Sequence, residues 1–235
     1  MGRWLDQYVA GDQIGVWASM VSLDRTIGLT DDETADASEV ATETMRRARC
    51  NVEMLVERLP STGYVLQPGE GLSTHLPPTP TATTELADVE QLIGSIPQSL
   101  RRWYLEVGEV NLMGVPPAGW CSYPDPLVVQ APLAFLRGER DAWESDRGTE
   151  WDRGLFVVDF SPDYLHKAGV SGGAPYSIDP TDGTVDGRVL WERSQTNFVN
   201  YLRNAFRFAG MPGFQFSERE LPPELIEIAS DLMPI

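Results

Sequence analysis

The strongest constraint on this chain is an apolar stripe. Ala41, Met45, Ala48, Val52, Leu55, Val56 and Leu59 recur at steps of 4, 3, 4, 3, 1 and 3. That spacing places all seven on one face of an α-helix. So long an apolar face must be covered by another layer of the protein. Thr30-Asp31-Asp32-Glu33 supplies the cap and acidic first turn for this helix, and Pro60 and Gly63 stop it. Trp4, Leu5, Tyr8 and Val9, then Ile14, Trp17, Ala18 and Val21, predict two shorter helices before it. Residues 1–66 therefore read as an N-terminal helical unit.

Residues 67–84 hold four prolines and two glycines in eighteen positions, which predicts an extended, fairly stiff linker. A second unit follows over 85–220. Leu86, Val89, Leu92 and Ile93 suit a short helix, Ile96-Pro97 interrupts it, and Leu100, Trp103, Tyr104 and Val107 form the inner face of another that Gly108 ends. The period then shifts. Residues 127–129 and 155–160 are short β-rich runs, and 176–178 and 189–191 flank a turn at Asp182-Gly183 as a hairpin. Phe198, Tyr201, Leu202, Ala205 and Phe206 give a further helix, and a short C-terminal helix occupies 221–235 behind Pro222. Helices, then strands, then a helix predict an α+β fold, with helices packed on a mainly antiparallel curved sheet.

The acidic balance narrows the function classes. Thirty-five acids face eighteen basic residues, for a net charge of −17. Such a field repels phosphate backbones, which argues against nucleic-acid binding, and it attracts basic proteins. No window nears the length of a membrane span, and Met1 to Asp6 lacks the apolar core of a signal peptide. A cytoplasmic location with Cys50 and Cys121 reduced is the expectation. Seventeen arginines against the single lysine, Lys167, fit a GC-rich bacterial source.

Motifs for chemistry are sparse. Gly169-Val-Ser-Gly-Gly173 matches G-x-S-x-G, yet the segment Ala174-Pro-Tyr-Ser-Ile-Asp-Pro180 cannot open the helix that a nucleophile elbow requires. Both histidines, His75 and His166, precede Ser171, whereas that fold places its histidine after the serine. Two histidines and two cysteines at these spacings make no standard zinc site. Asp179-Pro-Thr-Asp182-Gly183 lacks the remaining ligands of a calcium loop and reads as a turn. The expectation is a chain without catalytic residues, metal or cofactor. A hydrolase using paired carboxylates is the rival from another class.

One window points to a partner. Between 139 and 152 six acids (Glu139, Asp141, Glu144, Asp146, Glu150, Asp152) face two arginines, with Trp143 and Trp151 interleaved. Tryptophans serve as interface anchors, and acids around them steer a basic partner. The window is expected to be an exposed loop that binds together with the sheet side. The alternative is a solvated loop whose tryptophans tuck into the core.

Ala87 to Gly108 resembles the opening of the SUKH superfamily, also called the Smi–Knr family. That pattern is a helix, a break matched here by Ile96-Pro97, then a helix with the aromatic pair Trp103-Tyr104 ending at Gly108. Tyr176-Ser177-Ile178, Asp182-Gly183, Trp191 and the run Phe198 to Arg203 are similar to the family's closing hairpin and last helix. The resemblance covers about residues 85 to 212 and leaves out the N-terminal helical unit. It implies an α+β fold with helices against a curved sheet. It also implies protein binding without catalytic residues. Many bacterial members are immunity proteins that neutralise toxins, and fungal relatives act as interaction hubs. The expected partner is therefore a basic toxin domain, with a regulatory scaffold as the alternative.

Overall fold

A computed structural model describes residues 3–130, 136–151, 154–181 and 183–235. Three helices come first: α1 (Arg3–Val9), α2 (Gln13–Thr26) and α3 (Asp31–Arg58). Thr30 caps α3 through a reciprocal box with Glu33, and Gly63 closes the following turn in the left-handed conformation. The expected stripe is buried from Ala41 to Leu59, with Val56 at its edge. In α2 the inner face differs from expectation. Val16, Trp17 and Met20 are buried, while Ile14 is 72% exposed. The Trp17 indole N–H donates to Thr44 Oγ1 at 3.0 Å on α3, and this bond fixes the helix's rotation.

Among the described residues, five further α-helices and eight short strands follow. The helices are α4 (Ala82–Ile93), α5 (Gln98–Glu106), α6 (Leu136–Asp146), α7 (Phe198–Arg207) and α8 (Pro223–Asp231). The strands are β1 (Val65–Leu66), β2 (His75–Leu76), β3 (Glu109–Asn111), β4 (Gly114–Val115), β5 (Val128–Val129), β6 (Val158–Ser161), β7 (Tyr176–Ile178) and β8 (Val189–Leu190). All pairings are antiparallel, in sheets ordered β1-β4, β2-β3-β5 and β6-β7-β8. The Gln130 N–H donates to the Phe160 carbonyl at 2.8 Å, which carries the hydrogen bonding from β5 to β6. The fold is α+β, with helices against small antiparallel sheets. The β7–β8 pairing matches the expected hairpin, but Asp182 in its turn lies outside the described residues.

One core runs through the described chain. α3 packs against both α1 and α5. Arg102 donates to Ser38 Oγ, and Asp24 on α2 accepts from the Thr184 and Val185 backbone N–H groups at 2.8 and 3.1 Å. Asn51 on α3 exchanges two hydrogen bonds with the Met233 backbone. The proline-rich stretch is pinned as well. Just before it β1 pairs with β4; within it β2 pairs with β3, and α4 begins at Ala82, inside the expected linker.

Candidate functional site

The window expected to be a loop is largely α6 and the turn after it. Its helical nature is hard to read because few of its side chains point inward. Leu136 is buried, and Trp143 lies two turns later. Local pairs complete the helix: Arg140 Nε meets Glu144 Oε1 at 2.9 Å, and Glu139 sits in the first turn. Arg140 and Arg147 lie over the Trp143 ring at 4.5 and 4.7 Å. The ring meets Phe156 edge-on at 5.7 Å.

The structure gives the two tryptophans different places. Trp143 is half-buried, whereas Trp151 is 70% exposed. Together they line a groove of about 300 Å³ between α6 and the segment leading into β6. Glu139 and Asp146 share its lining, and Leu155, Phe156 and Asp159 close the far side. Asp159 accepts a short hydrogen bond from the Ser177 hydroxyl. Asp141, Glu144 and Glu150 are exposed outside the lining, and Asp152 lies outside the described residues.

A second set of charged residues lies inside the protein. Lys167 Nζ donates to Asp125 Oδ1 at 2.8 Å, and the Tyr176 hydroxyl donates to Asp125 Oδ2 at 2.9 Å. The ammonium also sits 4.7 Å from the Tyr176 ring centre. Burial, then the Asp125 charge, pushes the Tyr176 phenol far up. Glu192 is buried beside this group, and desolvation raises its pKa. Asp186 is buried between the starts of α5 and α7. Burial raises its pKa to about 7, partly offset by hydrogen bonds from Ser99 Oγ (2.7 Å) and the Val199 N–H. These acids hold elements together: Asp186 joins two helix starts, and Asp125 joins a loop to Lys167 and β7.

Sequence reasoning missed a surface feature above this centre. Trp191, expected at a strand end, has φ of +60° and is 55% exposed. Left-handed backbone is costly for a residue with a bulky side chain. Nearby, Arg193 is clamped between Tyr164 and Phe216, at 4.5 and 3.9 Å from their ring centres. An aromatic and arginine surface of this kind suits recognition.

Ser171 is exposed in a loop that leads into β7 and not into a helix. His166 caps onto Asp163 through a short contact. Asp179 Oδ1 accepts from the Thr181 N–H and hydroxyl, as in a turn. Among the described residues no group of three His, Cys, Asp or Glu side chains could hold a metal ion. No described helix is long and apolar enough to cross a membrane. Comparison with known families, curated proteins and solved structures finds no match to this chain.

Proposed function

We propose that this chain is a non-catalytic, cytoplasmic binding protein of the immunity type, which neutralises a basic toxin domain by covering it. The exposed Trp151 carries the reading. It stands on the rim of a groove whose lining includes Glu139, Asp146 and Asp159, in a chain of net charge −17. A large aromatic side chain in water beside an acidic groove is matched by a partner that brings apolar surface and positive charge. The long-range field speeds encounter, and Trp151 slows dissociation. The resemblance of residues 85–212 to the SUKH superfamily supports the same assignment. The internal carboxylates support it too, because Asp125 and Asp186 are engaged by Lys167, Tyr176, Ser99 and the Val199 backbone.

The test is a search of the neighbouring genes for a basic toxin domain, followed by its co-expression with this chain. The expected result is rescue of growth and a one-to-one complex. Trp151→Ala should weaken that complex by about 30-fold, equivalent to ~2 kcal/mol. Neutralising Glu139 and Asp146 should slow association and flatten its salt dependence. A complex in which all these variants associate and dissociate like the parent would move the interface elsewhere. Turnover of a substrate by the purified chain would favour the hydrolase reading.

A further inference from the structure

A second cleft, of about 420 Å³, opens between the proline-rich connector and α4. α6 contributes Arg137 to its lining, while more distal residues of the same helix line the tryptophan groove. One wall is fixed by backbone geometry. Leu76 pairs with Glu109, and His75 Nε2 lies 2.9 Å from the Val107 carbonyl. Gly108 has φ of +88°, and a Cβ there would sit 2.2 Å from the Leu76 carbonyl oxygen. Only glycine lets the connector lie so close to the end of α5. The cleft is therefore a built feature.

Its chemistry is uneven. Pro77, Pro78, Val89, Leu92 and Tyr104 provide apolar walls. Tyr104 commits its hydroxyl to the Gln130 carbonyl at 3.1 Å, so it offers mainly a ring face. Three acids, Glu85, Asp88 and Glu109, meet one arginine, Arg137. Glu109 is the notable one. It is half-buried, and no ion pair or hydrogen bond reaches its carboxylate among the described residues. Desolvation pushes its pKa up. A partly desolvated carboxylate without a counter-ion favours an incoming cation that brings its own hydrogen-bond donors. An anionic ligand would place its charge among three carboxylates.

Arginine and lysine side chains match this layout, with an aliphatic stem and a cationic head. We infer that the connector–α4 cleft receives an arginine or lysine side chain from a basic segment of a partner protein, its stem on Pro78, Val89 and Leu92 and its head on Glu109. The site is separate from the tryptophan groove and stands whether or not the partner is a toxin.

The test uses the full chain, 15N-labelled, with n-butylguanidinium as probe. n-Butylurea is the neutral isostere and butyrate the anionic control. The expected result is saturable shifts at Val89, Leu92, Gly108 and Glu109, with butylurea and butyrate at least fivefold weaker. An acetylated, amidated pentapeptide with one central arginine binds the same residues more tightly than butylguanidinium. Glu109→Gln loses at least fivefold for both cations. Paired Glu85→Gln and Asp88→Asn changes on the exposed rim lose two- to threefold, and they supply the readout should Glu109→Gln not fold. Equal binding of butylurea, preferred binding of butyrate, or shifts centred on Trp143 and Trp151 would overturn the assignment. So would unchanged affinity in the charge variants. A peptide no tighter than butylguanidinium would overturn the claim that a protein segment is the occupant.

Discussion

Asp125 and the acids of α6 carry the same charge in opposite surroundings. Asp125 is buried at 2% exposure, and each of its oxygens accepts from a named donor, Lys167 or Tyr176. On α6, Asp141 and Glu144 lie in water, and only Glu144 among these two has a paired arginine, Arg140. The difference teaches where charge does structural work in an acidic protein. An internal carboxylate is tolerated only with partners in place, so removing a partner strongly destabilises the fold. A surface carboxylate contributes little to stability and is left to act on whatever approaches.

The sharpest way to break this comparison is Lys167→Met. It strands Asp125 in the interior, and chemical denaturation should show a loss on the order of 3–5 kcal/mol. Adding Asp125→Asn to that variant should restore a large part of the loss. A single variant as stable as the parent would show that the pair is not needed.

Asp186 extends the comparison to an acid held by a hydroxyl and a backbone N–H. Its pKa rises from 3.8 to about 7 in the folded protein, chiefly through burial. The folded state therefore holds a proton that the unfolded chain has released, and stability falls as pH rises from about 4 to about 7. The expected fall is on the order of 2–4 kcal/mol. Asp186→Asn should flatten the curve measured by denaturation across that range. An unchanged slope would assign the pH dependence to other groups.

The two tryptophans give a smaller contrast. Trp143→Ala removes a half-buried ring from Phe156 and should cost about 2 kcal/mol of stability, below the ~3–5 of a fully buried one. Trp151→Ala should stay within ~0.5 kcal/mol of the parent in stability, and its effect should appear in binding alone. Equal losses of stability would remove Trp151 as an anchor. Smallest of all, Glu144→Gln breaks the helical pair with Arg140 and should cost about 0.3–0.5 kcal/mol, less at high salt.

How legible each part is depends on how local its cause is. The capping box of α3 and its stripe involve neighbours within one helix, and residues 30–59 can be read directly. The rotation of α2 depends on a bond from Trp17 to Thr44 on another helix, so spacing alone selects Ile14 in place of Val16. The strands β1, β2 and β4 have two residues each, too short to show a period. α6 escapes because arginines cover its tryptophan where an apolar face would be expected. For the candidate site, the composition of 139–152 was legible. Which tryptophan faces water was not, because Phe156 and the segment before β6 decide it. The Lys167–Asp125 pair joins residues 42 apart, and no local pattern announces it.

That pair has a practical consequence. Lys167 is the only lysine, and its side chain is fully enclosed. The folded chain thus presents no side-chain amine to acylating reagents among its described residues, and one becomes available when the core opens. Modification at this position is a built-in clock for opening. Its rate, followed by intact-mass measurement, counts excursions of the core in a chain that needs no introduced label.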